Sequence, residues 1–177
     1  MDHFYFVRHG ETVWNVENKI CGATDIELTA KGHEQAIIAG EKILEMNIKA
    51  DKILSSPLVR ASETARHISE VTGIPMEIEM RLKEQNFGRY ESTPRDGLEF
   101  HEAKKELASR FTTGESMLQT AHRVYSLLDD IKAGDKEYIL VAHNGLARII
   151  ESYFREMSNE EFSSFGIKNC EIKKYSF

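Results

Sequence analysis

Cysteine is scarce in this chain. Cys21 and Cys170 are the only two in 177 residues, and they form no CxxC pair. That excludes a disulfide-stapled scaffold and makes a reducing cytosol the natural setting. Cationic excess is missing too: 23 Lys and Arg stand against 29 Asp and Glu, for a net charge of −6. A general electrostatic grip on nucleic acid or an anionic membrane is therefore not expected, and an anionic ligand would need a local cluster of cations. No stretch approaches the roughly 18 apolar residues of a membrane span. The opening Met1-Asp2-His3-Phe4-Tyr5-Phe6-Val7-Arg8 has no signal-peptide anatomy, so a cytoplasmic protein is expected. There is no P-loop, GxGxxG or GxSxG run, which leaves nucleotide-motor, dinucleotide and serine-hydrolase readings without support. His33-Glu34 and His101-Glu102 begin like a zinc HExxH motif, but neither has the second histidine. No repeat or clear linker breaks the chain.

What is present is a core. Hydrophobic residues make up 41% of the chain and charged residues 29%, which fits one compact domain over 1–177. Strand and helix patterns alternate. Phe4 to Val7, Lys52 to Ser55 and Tyr138 to Ala142 read as buried strands, and Met76 to Glu79 as a weaker one. Cys170 to Phe177 reads as a last strand at a sheet edge. Thr29 is placed to cap a helix carrying Ala36, Ile37, Ala39, Gly40, Ile43 and Leu44 at helical spacing. Leu58 to Val71 reads as a helix stopped by Gly73 and Pro75. Met117, Ala121, Val124, Leu127, Leu128 and Ile131 mark one helix face, and Gly145 to Met157 is helical in pattern. Leu98 to Arg110 is a charged helix candidate after a loop holding Gly88, Pro94 and Gly97. The alternation predicts an α/β three-layer sandwich with a mixed, mostly parallel sheet flanked by helices.

Open α/β sheets take ligands beyond the carboxyl ends of their strands. Arg8 and His9 follow the first strand. Ser55, Ser56 and Arg60 follow the second, Glu84 the third, and His143 and Asn144 the Tyr138 to Ala142 strand. Two arginines, two histidines and a carboxylate should therefore meet at one edge. Arginine forks fit phosphate oxygens and stabilise the charge that a transferring phosphoryl group spreads over them. A neutral imidazole can attack phosphorus, and a carboxylic acid can protonate the leaving oxygen and later activate water. Such a site needs no metal ion and no cofactor.

These residues carry a resemblance. Arg8-His9-Gly10-Glu11-Thr12 with Trp14-Asn15 resembles the signature of the histidine phosphatase superfamily, the phosphoglycerate mutase-like family. Ser55-Ser56-Pro57-Leu58-Val59-Arg60-Ala61, then Glu84 with Phe87-Gly88, then Gly114-Glu115-Ser116, then Val141-Ala142-His143-Asn144-Gly145 follow in the family's order. The resemblance implies His9 as the phosphorylated nucleophile and Arg8, Arg60 and His143 as the phosphate pocket. It implies Glu84 as proton donor and later base. Asn15, Cys21, Gly22 and Asn144 would contact substrate or sit at its mouth. Tyr90-Glu91-Ser92 stands where many relatives have Trp-Glu-Gly, Cys21 where a polar Gln or Ser is common, and Asn144 where Gly is common.

The expected activity is hydrolysis of a small soluble phosphomonoester of the α-ribazole phosphate, sugar phosphate, phosphoglycerate or phosphoserine type. A partial lid around 84–110 would set substrate choice. A phosphoglycerate mutase is the alternative enzyme, disfavoured because mutases of this family carry an added basic segment. A binding module without turnover is the third reading. Oligomeric state stays open between monomer and homodimer.

Overall fold

The computed structural model describes residues 2–177. Its centre is a five-stranded sheet made of β1 (His3–Arg8), β2 (Lys52–Ser55), β3 (Met76–Ile78), β4 (Tyr138–Ala142) and β5 (Ile172–Ser176), in the order β3-β2-β4-β1-β5. The first four run parallel and β5 closes the edge antiparallel to β1. Both faces are covered, which explains the unbroken apolar runs of the parallel strands. Side chains alternate across the sheet. Phe4, Phe6, Leu54, Leu140 and Ala142 face one core, and Val7, Ile53, Ile139 and Val141 face the other.

The helices divide between these cores. α1 (Val13–Val16) is one turn after β1. α2 (Ala30–Glu45) and α3 (Val59–Thr72) bring Ala39, Ile43, Ala61, Ala65 and Ile68 to the Val7 face. α5 (Met117–Ala133) and α6 (Asn144–Phe154) bring Val124, Leu127, Leu128, Leu146, Ile149 and Ile150 to the Phe4 face. Caps fix where these helices start. The Thr29 hydroxyl accepts from Gly32 N, and Ser116 forms a reciprocal capping box with Gln119. α3 has no side-chain cap of its own, and Asp25 Oδ1 accepts from Val59 N at 2.7 Å instead.

One element departs from expectation. The helix anticipated over Leu98 to Arg110 is α4 (Leu98–Ala103), six residues long, followed by turns. Only Phe100 is buried along it, while Leu98 and Leu107 are exposed. Without an apolar stripe to pack, propensity does not sustain a longer helix. Phe100 joins Ile20, Phe87, Tyr90 and Phe111 in a small core separate from the two sheet cores. The short α7 (Asn159–Ser164), capped by Ser158, also lies outside the anticipated elements. α6 ends at Phe154, three residues before the anticipated Met157.

Candidate functional site

Sheet register decides which loops meet. Arg8 pairs with Ala142 and Ser55 with Val141, so β1, β2 and β4 end side by side. His9 N then donates to Ala142 O at 2.9 Å, and Ser56 N to Val141 O at 3.0 Å. The chains leaving these strands place the rings of His9 and His143 with centroids 5.3 Å apart. His9, Arg60, Glu84 and His143 are all buried, at 5%, 1%, 4% and 0% exposure. Polar groups are rarely buried together without a chemical or structural task.

The hydrogen bonds set the state of each group. His9 Nδ1 donates to Gly10 O at 2.7 Å, which assigns the proton to Nδ1 and leaves Nε2 with a free lone pair. Burial, reinforced by the charges of Arg60 and Arg8, pushes His9 well below the ordinary histidine value of 6.5. The ring is therefore neutral at pH 7. His143 is pushed down for the same reasons, burial first and then Arg60. Its Nε2 lies 2.7 Å from Ser56 Oγ, and its Nδ1 is buried without a protein partner.

Burial acts the other way on Glu84, raising its carboxyl above the usual 4.5. Bonds from Gln85 N to Oε1 and from Gly145 N to Oε2, each 2.9 Å, oppose that shift. A Cβ at Gly145 would stand 2.4 Å from Glu84 Oε1, so a larger residue there would displace the carboxylate.

The arginines are held by backbone carbonyls. Arg60 Nη1 donates to Thr24 O at 2.9 Å and Nη2 to Gly22 O at 2.7 Å, while Arg8 Nη1 donates to Ile167 O at 2.6 Å. In both, Nε is buried with no protein acceptor. Burial lowers Arg8 to about 10, so it stays cationic at neutral pH. Buried donors without acceptors are costly, and Arg8 and Arg60 each hold one at the site. An anion there would satisfy them.

A cavity above this floor is lined by Arg8, His9, Asn15, Cys21, Glu84 and Asn144 among others. Arg60 and His143 lie beneath the lining. Asn15 Oδ1 accepts from Thr12 N at 3.0 Å as part of the α1 cap. Asn144 lines the cavity while its Oδ1 accepts from Ile167 N. Cys21 is pushed up to about 11 by burial, so its thiol stays protonated. Gly22, anticipated at the substrate mouth, is buried below it and does not line the cavity. A Cβ there would meet Gln85 O at 2.3 Å, and its carbonyl orients Arg60. Glu91, in the Tyr90-Glu91-Ser92 variation, accepts from Ala23 N, Thr24 N and Phe87 N, tying the 21–25 loop to the following segment.

Sequence reasoning missed four residues. Asn169 Nδ2 donates to His9 O at 2.9 Å and faces Asn15 Oδ1 at 3.3 Å. Arg95, Lys104 and Arg148 line the same cavity. None belongs to a block that carries the family resemblance. Away from the cavity, His33, Glu63 and His67 bring metal-ligand atoms within 4.8 Å of one another across α2 and α3. A search along one helix for HExxH could not find this trio. Each donor already has a protein partner, His33 Nδ1 with His67 Nε2 at 2.9 Å and Glu63 with Arg66.

The site is a pair of buried histidines beside buried arginines at the carboxyl ends of a mixed, mostly parallel sheet, and comparison with known proteins gives the family. The sequence matches the histidine phosphatase superfamily (branch 1) over residues 4–177, and the chain belongs to that family. It is 31% identical to "Probable phosphoglycerate mutase GpmB" of Yersinia pestis (strain Pestoides F), over 98% of this chain and 84% of that protein. Among solved structures, a mycobacterial glucosyl-3-phosphoglycerate phosphatase superimposes with a TM-score of 0.83 at 26% identity, covering 98% of this chain and 89% of that one. A phosphoserine phosphatase mutant from Entamoeba histolytica gives 0.82 at 28% identity, covering 98% and 90%. Among the described residues, no helix is long and apolar enough to cross a membrane.

Proposed function

We propose that this chain is a phosphatase that hydrolyses small phosphomonoesters through a phosphohistidine at His9. The observation that carries the reading is the His9 Nδ1–Gly10 O bond, which leaves Nε2 unprotonated in a site where Arg8 and Arg60 hold buried Nε–H groups without protein acceptors. In the first step Nε2 attacks phosphorus and the P–O bond to the leaving group breaks. Glu84, whose hold on its proton burial strengthens, gives that proton to the leaving oxygen. In the second step the Glu84 carboxylate takes a proton from water. The hydroxide attacks phosphorus, the P–N bond breaks, and phosphate and neutral His9 are restored. Arg8 and Arg60 keep their charge throughout and stabilise the phosphoryl oxygens. No step draws on a metal ion.

The segment 84–110 acts as a partial lid. Its own small core supports this, as do the cavity walls it supplies through Phe87, Arg95, Phe100 and Lys104. Asn15, Asn144 and Cys21 line the route by which the ester reaches His9. Replacing His9 by Ala should lower kcat by at least about 10⁴-fold, and a denaturing quench of the wild type at alkaline pH with ³²P-labelled substrate should trap acid-labile label on His9. Wild-type label on a serine, or normal turnover by His9→Ala, rejects the mechanism. EDTA should leave the rate unchanged. Release of free phosphate from 3-phosphoglycerate separates this reading from a mutase, which would yield 2-phosphoglycerate instead.

A further inference from the structure

The cavity carries more positive charge than one phosphoryl group needs. Arg8 and the underlying Arg60 meet the phosphate at His9. Three more cations, Arg95, Lys104 and Arg148, line the same cavity, and Glu84 is its only acidic side chain. They come from three elements: the loop before α4, the end of α4, and the second turn of α6.

Their surroundings hold them in place, and Glu84 is the carboxylate that acts on one of them, Arg148. Lys104 is half-buried, its ammonium 5.1 Å from the centre of the buried Phe100 ring. Burial, then Arg148 and Arg95, lowers it to about 8. Arg148 Nη1 donates to Ser163 O at 3.1 Å, yet its Nε is buried without a partner. Arg95 spends Nη2 on Lys19 O at 3.0 Å. Gathering three cations is unfavourable unless a ligand compensates them.

We propose that Arg95, Lys104 and Arg148 form a second anion subsite, and that preferred substrates are compact phosphomonoesters that also carry a carboxylate. Two of the three side chains already spend a donor on a carbonyl. What remains suits a planar two-oxygen anion better than a second tetrahedral one. Ile20, Phe87 and Phe100 supply apolar wall for a short carbon chain between the two anionic ends. Neutral-tailed esters such as sugar phosphates leave the three cations uncompensated.

The inference rests on the phosphatase reading for what happens to the substrate, but its test does not. 3-Phosphoglycerate and glycerol 3-phosphate share a three-carbon skeleton and a phosphate, and differ in carboxylate against hydroxymethyl. Calorimetric titration of the His9→Ala protein should show 3-phosphoglycerate binding at least about tenfold tighter, the size of one charge-assisted hydrogen bond. The ratio should fall toward one in His9→Ala proteins that also carry Lys104→Met and Arg95→Met. It should survive Lys104→Arg, which keeps the charge. Equal affinity for the two esters, binding of neither, or a ratio untouched by the double change overturns the subsite. A normal ratio with no phosphate released by wild-type protein leaves the subsite standing and removes the phosphatase. Equal affinity with brisk hydrolysis of both esters does the reverse.

Discussion

At the scale of single residues, burial moves the two reacting groups in opposite directions. It lowers His9, where the charged form is a cation, and raises Glu84, where the charged form is an anion. Both therefore favour their neutral forms, a free lone pair and an acid proton, which are the forms the first step needs. Activity should be lost on the acid side as His9 protonates, at a pH below 6.5. It should be lost on the alkaline side as Glu84 ionises, above the ordinary glutamate value of 4.5. Measured kcat against pH checks both limbs. Glu84→Gln should cut kcat/KM, which reports transfer to His9 and not the later hydrolysis, about 10²–10⁴-fold on an alkyl phosphate and far less on p-nitrophenyl phosphate, whose leaving group needs no proton. Equal losses on the two would remove Glu84 from the acid role.

At the scale of elements, the parallel strands and long helices were legible because their signals are local. Phe4 to Val7, Lys52 to Ser55 and Tyr138 to Ala142 are apolar on both faces, and Thr29 and Ser116 announce the helices they cap. The 98–110 stretch was misread because its charge pattern suits a helix while its burial does not: only Phe100 finds a core. That residue packs edge-on to Phe87 at 5.4 Å and beneath Lys104. Phe100→Ala should therefore loosen the proposed lid without melting the sheet. Hydrogen exchange should accelerate within 87–111 and stay slow in β1 and β4, and KM should rise more than kcat falls. Faster exchange in β4 as well would show that the small core is not an independent unit.

At the scale of the molecule, the antiparallel β5 is tied to α6 by one buried carboxylate, in addition to its ladder with β1. Glu151 on α6 accepts from Arg155 Nε at 2.6 Å, Lys173 Nζ at 2.5 Å and Tyr175 Oη at 3.0 Å. Burial alone would raise its pKa, yet the bonds from Lys173, Arg155 and Tyr175 bring it below 4.5. The folded protein thus binds fewer protons here than the unfolded chain. The stabilisation is complete above 4.5 and fades as pH falls through the lower folded value. Glu151→Gln should cost about 1.5–3 kcal/mol at pH 7, and thermal melts should show the gap from wild type narrowing below pH 4.5. A gap that is constant with pH would mean that packing, not charge, is what the substitution removes.

The chain by itself determined the order of the main strands and long helices and the polar residues that end or follow the strands: Arg8, His9, Ser56, Arg60, Glu84 and His143. Those signals lie in short windows of sequence, where periodicity and turn chemistry act. Only the tertiary structure decided that Gly22 serves Arg60 from below, that Asn169 braces His9, and that Arg95, Lys104 and Arg148 share one cavity. Charged residues on separate loops have no pattern that foretells their meeting. Packing of the sheet, α6 and the Phe100 cluster brings them together, and that depends on contacts far apart along the chain.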